Sequence, residues 1–363
     1  MSDELQEAID YLPHDGPPVF RRSANGLDIA LPPSSAEIRF SSANCRQIRG
    51  GRRPQIDGLT YYDHCGFHFA DTAEFLFYLS AWGEWPVESA LRFRIGGTLV
   101  TVGRVSPVLP LLFEPYYRDK YVLQYEFARY SSIRLTGVSA DEARSVVHSA
   151  LFHLNARYLA PAKTGAQIMH LLPPGRPYEQ PSEDDLGRIT RRRVLTRPRL
   201  KTLEPGLLFN AASTEEGEAR FLGFYRVLEF YFTRALEEDI ERLRLDGNTT
   251  ARDLIAVARE RTELDMLRRL LNAALTTAQR TSLLAQLQYR RLASRKPSTD
   301  LAGALYAFRC SLVHAKQAEL HRTRIPDPLV EDSTLGSWNY LVRRCAELTI
   351  RRYCLTMSNR GHR

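Results

Sequence analysis

Arg309 and His314 are the two residues of this sequence whose types and spacing point most directly to chemistry. They lie in Ala304–Gln317, a segment that is otherwise largely apolar. An imidazole, with an ordinary pKa of about 6.5, could take a proton from a ribose 2′-hydroxyl or give one to a 5′-oxygen leaving group. A guanidinium offers forked donors to phosphate oxygens, where negative charge accumulates during attack. The pair could therefore cleave RNA without a metal, leaving a 2′,3′-cyclic phosphate and a 5′-hydroxyl.

The spacing alone does not bring the two side chains together. On a helix, five steps of about 100° place Arg309 and His314 about 140° apart around the axis. They converge only if the arginine stem wraps around the helix or if two helices meet across a dimer axis. A homodimer would also supply two histidines for the two proton transfers, because a two-fold interface presents each residue twice. The alternative is a surface helix with an ordinary arginine and a partly buried, hydrogen-bonded histidine.

The helix that carries this pair belongs to a part of the chain with helical periodicity throughout. Apolar residues recur every three to four positions after residue 205, and short connections between six helices predict an all-α bundle. Ser213 and Glu216 have the spacing of a capping box at the first helix. The predicted helices span Ser213–Leu236, Asp253–Glu260, Thr262–Leu275, Thr277–Leu292, Leu301–Leu320 and Leu335–Met357.

Three features of this part of the chain resemble the HEPN superfamily, and most closely its ApeA-like branch. The first helix is rich in aromatic residues and contains a Leu-Glu pair, FLGFYRVLEFYF (Phe221–Phe232). The later helix reads FRCSLVH (Phe308–His314), which is similar to the family's motif of an arginine followed at a short interval by a histidine. A last amphipathic helix follows.

The resemblance implies a metal-independent endoribonuclease that works as a dimer, of a kind common among toxins and effectors of anti-phage defence. It assigns Arg309 and His314 to the two motif positions and Glu229 to the acidic residue of the first helix. In that setting Arg309 would stabilise the phosphorane, His314 would act as general acid or base, and Glu229 would orient Arg309. The expected partners are RNA, with tRNA among the candidates, a second copy of the chain, and a protein partner or antitoxin.

The residues around Glu229 suggest a role for its carboxylate that does not depend on the family resemblance. It lies beside Tyr225 and Phe232 on a largely apolar face. A carboxylate in such a place needs a partner, and Arg309 is the natural one. The alternative is a solvent-facing acid paired with Thr233 or Arg226.

Residues 1–171 show a mixed pattern that predicts an α+β domain with an antiparallel sheet, which we assign to sensing or recognition. Short alternating or β-branched runs bounded by Gly and Pro predict strands, and two stretches have helical periodicity. The predicted strands are Glu37–Phe40, Leu91–Ile95, Thr98–Val105 and Tyr121–Leu135, and the predicted helices are Asp71–Trp82 and Ser139–Leu154. The expected fold class is therefore an α+β N-terminal domain followed by an all-α, HEPN-like bundle over residues 206–363.

A proline-rich, charged linker is predicted between the two domains, over residues 172–205. Its stretch Arg188–Lys201 carries seven positive charges and no negative one, which is typical of an exposed connector. Such a run could bind RNA phosphates by counterion release, and the alternative is a solvated tether. The residues assigned to nucleic-acid binding are Arg191, Arg192, Arg193, Arg197, Arg199 and, beyond the histidine, Lys316.

Charge and composition favour a polyanionic partner and exclude several classes of protein. The net charge is +8, from 50 Lys and Arg against 42 Asp and Glu, and residues 206–363 hold 25 of the basic and 19 of the acidic side chains. No apolar run approaches the roughly 20 residues of a membrane span, and the acidic N-terminus lacks the apolar core of a signal peptide. Five scattered cysteines without a C-x-x-C spacing fit no disulfide framework, which predicts a reduced, cytoplasmic protein.

Neither a cofactor nor a metal is expected from the motifs. The sequence contains no P-loop, G-x-G-x-x-G, G-x-S-x-G, H-E-x-x-H or EF-hand string. His64, Cys65 and His68 could supply zinc ligands, but the aromatic residues around them favour a packed core.

Two rival interpretations stay open. In one, a HEPN-like bundle without activity serves as a dimerisation or nucleic-acid-binding subunit of a defence complex. Cys310 favours this one, since the family usually has Asn, Asp or His directly after the motif arginine. In the other, the N-terminal domain is a nucleotide or ligand sensor that gates the helical domain.

Overall fold

Strand-forming and helix-forming runs separate into different parts of the chain. The computed structural model describes residues 20–23, 26–31, 34–49, 52–63, 65–79, 91–113, 131–158, 166–168, 195–246, 248–252, 262–296, 298–313 and 334–355. The chain divides into two units, residues 1–200 with 356–363 and residues 201–355. The prediction of a mixed N-terminal region followed by a helical region is confirmed at this level.

The described part of the N-terminal unit contains two sheets. Its strands are β1 (Phe20–Ser23), β2 (Gly26–Ala30), β3 (Glu37–Ser41), β4 (Leu59–Tyr62), β5 (Gly66–Phe69), β6 (Thr72–Leu79), β7 (Leu91–Ile95), β8 (Thr98–Arg104), β9 (Ser131–Thr136), β10 (Ala166–Ile168) and β11 (Leu195–Arg197). The first three form one antiparallel sheet, and the second has the order β11-β7-β8-β9-β6-β5-β4, with β10 paired to β6. Because β11 runs parallel to β7, the second sheet is mixed rather than antiparallel as predicted.

Two apolar layers cover the second sheet on opposite faces. The helices described in this unit are α1 (Ser42–Arg49), α2 (Val108–Phe113) and α3 (Ala140–His153), and a turn of π-helix follows at Leu154–Tyr158. The α3 residues Val146 and Ala150 pack in one cluster with Phe93 and Ile133 of the strands. A second cluster joins the first sheet, α1 and α2 to Phe67 on β5.

The predicted helix at Asp71–Trp82 is wrong, because Thr72–Leu79 is strand β6. This strand is central in its sheet and pairs antiparallel with β5, β9 and β10. Ala73 and Phe75 belong to the cluster against α3, while Leu76 belongs to the cluster on the opposite face. A strand buried on both faces loses its polar alternation, so its apolar residues imitate the spacing of a helix.

The predicted linker over residues 172–205 is ordered at its C-terminal end. Leu195–Arg197 form β11, Leu200 is buried, and the first helix of the second unit begins at Glu204. The backbone carbonyl of Pro198 lies 2.7 Å from Nε2 of His153. Residues 172–194 lie outside the described part of the chain.

The second unit is helical in its described part. Its helices are α4 (Glu204–Thr214), α5 (Gly217–Phe230), α6 (Phe232–Leu245), α7 (Glu263–Ala274), α8 (Thr277–Tyr289), α9 (Leu301–Val313) and α10 (Leu335–Tyr353). The predicted starts at Thr262 and Thr277 are confirmed, since Thr262 and Thr276 accept backbone hydrogen bonds as N-caps. The predicted helix at Asp253–Glu260 lies outside the described residues.

The first predicted helix of this unit is wrong in two places. Ser213 lies inside α4, where its hydroxyl donates to the carbonyl of Phe209, so it forms no capping box with Glu216. The single helix expected through Leu236 breaks at Tyr231, which separates α5 from α6. The break lets the buried Tyr231 ring stack on Tyr353, with ring centroids 5.3 Å apart.

Close helix contacts fix the position of α5 in this unit. A Cβ on Gly223 would lie 2.8 Å from Cβ of Ala212. Only glycine at position 223 therefore lets α4 and α5 approach this closely. Phe221 of α5 meets Phe308 of α9 edge to face, with centroids 4.7 Å apart. Phe308 stacks in turn on Trp338 of α10 at 4.3 Å. Among the described residues, no helix is long and apolar enough to cross a membrane.

Candidate active site of the helical unit

Phe308 and Asp300 hold the helix that presents Arg309. Phe308 is fully buried between Phe221 and Trp338, which places the next residue, Arg309, beside α5 and α7. At the start of α9, Oδ1 of Asp300 accepts a hydrogen bond from the Gly303 amide at 2.7 Å, as an N-cap does. The other oxygen, Oδ2, lies 2.6 Å from Nε of Arg268 on α7, so α9 is tied to α7 at its first turn.

Arg309 lies between two carboxylates. Its Nε is 3.2 Å from Oε1 of Glu263, and its Nη2 is 3.7 Å from Oε1 of Glu229. The Tyr225 hydroxyl donates to the same Oε1 of Glu263 at 3.0 Å, and the Tyr225 ring centroid is 5.9 Å from Cζ of Arg309. We call these four residues, Tyr225, Glu229, Glu263 and Arg309, the arginine cluster. It joins α5, α7 and α9.

The arginine cluster is partly shielded from water. The exposed fraction is 18% for the Arg309 side chain, 35% for Glu229 and 25% for Glu263, while Tyr225 is buried. Partial shielding strengthens the interactions among these charges relative to those at an open surface. The cluster is therefore partly open to solvent, and its charges interact more strongly than they would at an open surface.

The shielding shifts the pKa values of two members of the cluster. Burial raises the pKa of Glu229, and the nearby Glu263 carboxylate raises it further, against the opposing attraction of Arg309 and Arg226. Burial also raises the pKa of the Tyr225 hydroxyl, and its hydrogen bond to Glu263 acts in the same direction. Tyr225 therefore stays protonated and can only donate to Glu263.

Cys310, the residue after the motif arginine, faces Tyr306 one turn earlier. A hydrogen bond to Cys310 is the largest cause that raises the pKa of Tyr306, followed by burial. The Glu263 carboxylate also raises this pKa, which places Tyr306 within the electrostatic reach of the arginine cluster. The Cys310 thiol thus has a local partner on its own helix.

The other predicted site residues lie either outside the described residues or in the N-terminal unit. Five of them lie outside the described residues: His314, Lys316, Arg191, Arg192 and Arg193. Helix α9 is described only as far as Val313, whose side chain is exposed. Arg197 and Arg199 belong to the N-terminal unit. Arg199 forms an ion pair with Glu142 at 2.7 Å, so it fastens its segment to α3.

The residues considered for zinc have other partners. Nε2 of His68 lies 3.0 Å from the carbonyl oxygen of Val138. The Cys65 thiol donates to the carbonyl of Tyr62, and burial raises its pKa to about 11, so the thiol stays protonated. His64 lies outside the described residues. Within the described part of the chain, no group of three or more His, Cys, Asp or Glu side chains could hold a metal ion.

Glu263 is the charged member of the cluster that the sequence did not single out. It is the first residue of α7, directly after the Thr262 cap, where an acidic residue is ordinarily explained by the helix dipole. The pairing of Glu229 with Arg309 was anticipated, and the two side chains do lie within ion-pair distance. The contact of Glu263 with Arg309 depends on how α7 and α9 pack, which no local pattern encodes.

Comparison with known proteins identifies no relative of this chain. No family model matches it, and neither does any curated protein or solved structure. The case for a function therefore depends on the residues and contacts of the chain itself.

Proposed function

We propose that this protein is a metal-independent endoribonuclease of the HEPN type, with Arg309 and His314 as its catalytic residues. The observation that carries the proposal is the position of Arg309, which two carboxylates hold on a partly exposed face near the end of α9. A guanidinium oriented in this way is suited to meet a phosphate, because its donors are fixed before the substrate arrives. His314 follows Val313 directly in the sequence, so the acid–base group is close along the chain.

The chemistry assigns one role to each group. His314 takes the proton from a ribose 2′-hydroxyl, or gives one to the departing 5′-oxygen. Arg309 stabilises the negative charge that builds up on the phosphate oxygens during attack. Glu229 and Glu263 keep the guanidinium in place. The products are a 2′,3′-cyclic phosphate and a 5′-hydroxyl.

A homodimer completes the site in this proposal. If helical geometry continued through His314, five steps of about 100° would place it about 140° from Arg309 around the axis, so one chain alone would bring the two together poorly. Two copies related by a two-fold axis would place two such pairs in one cleft and supply a histidine for each proton transfer. The positive charge of the second unit suits a polyanion such as tRNA or another RNA. Growth restriction as a toxin or anti-phage effector would follow from such cleavage.

One observation favours a second function, a non-catalytic subunit that dimerises or binds nucleic acid. Two carboxylates face a single guanidinium, so the charge that a phosphate would meet is already countered. Cys310 adds to this, since its thiol is a weak donor and acceptor and it is hydrogen-bonded to Tyr306. In this alternative, the arginine cluster serves only to hold α5, α7 and α9 together.

Cleavage of total RNA by the purified protein separates the two functions. We expect His314→Ala and Arg309→Lys each to lower the cleavage rate at least about 100-fold. Alanine cannot transfer a proton, and lysine keeps the positive charge but lacks the planar set of hydrogen-bond donors of the guanidinium. Arg242→Ala is the matched control, since Arg242 is a surface arginine paired with Asp239 outside the cluster. EDTA should not inhibit, the cut ends should be cyclic phosphates, and light scattering should give twice the monomer mass. Full activity in both motif variants would overturn the assignment of Arg309 and His314 as catalytic residues, and the absence of cleavage by the wild type would leave the non-catalytic function.

A further inference from the structure

Glu263 contacts Arg309 more closely than Glu229 does. The Glu263 carboxylate lies 3.2 Å from Nε of Arg309, whereas Glu229 lies 3.7 Å from Nη2. The Glu229 side chain is also the more exposed of the two. Charge-assisted hydrogen bonds are strong at about 2.7–2.9 Å and weaken as the atoms separate, so the ion pair with Glu263 constrains Arg309 more.

We infer that Glu263, held by the Tyr225 hydroxyl, is the principal positioning residue for Arg309 in the proposed ribonuclease site. This inference depends on the proposed function, since a positioning role requires that Arg309 act on substrate. It assigns to α7 the role that the family resemblance gave to Glu229 on α5.

Contact at Nε is the one that fixes the plane of the guanidinium. Nε is the nitrogen that joins the planar group to its flexible stem, so an ion pair there limits rotation of the whole fork. Glu229, opposite Nη2, lies at the far end of the group, where its contact limits the plane less.

Glu263 is itself held from two sides. The Tyr225 hydroxyl donates to its Oε1 at 3.0 Å, and Tyr225 is buried, so this donor has little freedom to move. The backbone of Glu263 is fixed at the first turn of α7, because the Thr262 side chain accepts the amide of Asp265. A buried hydroxyl, a carboxylate and a guanidinium therefore form one chain of contacts across α5, α7 and α9.

The test compares four variants of the full-length protein on one RNA substrate. We expect Glu263→Gln to lower kcat about 100-fold with little change in KM, because a displaced group loses transition-state contacts more than ground-state binding. Tyr225→Phe, which removes only the hydroxyl, should lower kcat about tenfold. Glu229→Gln should cause a smaller loss than Glu263→Gln. Glu241→Gln, an exposed glutamate paired with Arg244 on α6, is the matched control.

A double-variant cycle distinguishes positioning from simple loss of structure. If Tyr225 acts through Glu263, the double variant Tyr225→Phe/Glu263→Gln should be no slower than Glu263→Gln alone. Additive losses would overturn this part of the inference. Should Glu263→Gln fail to fold, Tyr225→Phe still decides the question, because it keeps the ring and its packing.

The outcomes also separate this inference from the proposed function. If Arg309→Lys cleaves as well as the wild type, the proposed function fails and the positioning role fails with it. If Arg309→Lys is inactive while Glu263→Gln and Tyr225→Phe keep wild-type kcat, only the inference about Glu263 is overturned. A larger loss in Glu229→Gln than in Glu263→Gln would return the positioning role to α5.

Discussion

Each unit of this protein contains a glutamate that meets an arginine, and the two pairs are built in opposite ways. In the N-terminal unit, Glu74 on β6 is completely buried. The Ser106 amide donates to its Oε1 at 2.8 Å, the Ser106 hydroxyl donates to Oε2, and Arg134 lies 3.5 Å away. Neutral donors therefore satisfy most of this carboxylate, as expected where a buried charge serves only the fold.

The helical unit reverses this arrangement. Glu229, Glu263 and Arg309 are all partly exposed, and two carboxylates share one guanidinium. Burial raises the pKa of Glu229, and the excess of negative over positive charge in the cluster adds to this through Glu263. The comparison teaches that burial with neutral donors suits stability, whereas partly exposed, unevenly paired charge is typical of positions where pKa values are perturbed.

The largest effect expected from this comparison is the loss of the Glu74 carboxylate. Glu74→Ala should lower the stability of the N-terminal unit by about 4 kcal/mol, because it leaves Arg134 and the Ser106 amide without their shared partner. Hydrogen exchange with mass spectrometry should show faster exchange in β6 and β9 and unchanged exchange in α5 and α9.

Glu74→Gln is the control for this first prediction, since it keeps the size of the side chain and an acceptor for the Ser106 amide. It should cost less than Glu74→Ala. An equal loss of protection in α5 and α9 would contradict the assignment of Glu74 to a purely local role. So would a Glu74→Ala variant as stable as the wild type.

Local sequence patterns predicted the elements that have one polar face. They did not predict the elements whose structure depends on tertiary packing. The strand at Leu91–Ile95 alternates strictly between buried and exposed residues, and its predicted bounds match the structure. Strand β6 is buried on both faces, so its sequence carried no alternation to detect. The break at Tyr231 was also hidden, because the apolar spacing continues across it while the stacking on Tyr353 requires a turn.

The candidate site divides in the same manner. Arg309 and Glu229 were found from residue type, apolar surroundings and a family motif. Glu263 and Tyr225 could not be found this way, since their contact with each other crosses from α5 to α7 and depends on the packing of both helices. Sequence reasoning therefore proposed candidate site residues, and the structure identified the contacts that hold Arg309.

A second, smaller effect concerns acid stability in the N-terminal unit. Burial lowers the pKa of His148 on α3 from its ordinary 6.5 to about 4, with Arg144 acting in the same direction. The folded state thus binds this proton less readily than the unfolded state does. The stability contributed by His148 is complete above pH 6.5 and is lost as the pH falls towards 4.

The measurement for His148 is denaturant unfolding of the wild type and His148→Leu at several pH values. Relative to the variant, the wild type should lose roughly 2 kcal/mol between neutral pH and pH 4, a figure reduced for the partial exposure of the ring. A difference between the two proteins that stays constant over this range would show that His148 takes up its proton in the folded state as easily as in the unfolded one.

The smallest effect is expected at Glu229, and its sign is opposite to that at His148. Because the folded-state pKa of Glu229 is raised, the wild type is favoured most below the ordinary glutamate pKa and loses stability as the pH rises through the raised value. Glutamine cannot ionise, so the stability of Glu229→Gln relative to the wild type should increase from acid to neutral pH. Thermal melting of the two proteins at matched pH values measures this difference. A decrease towards neutral pH would mean that attraction to Arg309 outweighs burial and the repulsion from Glu263. In that case the ionised Glu229 would stabilise the fold, as the contacts of Glu74 do, and the contrast between the two units would disappear.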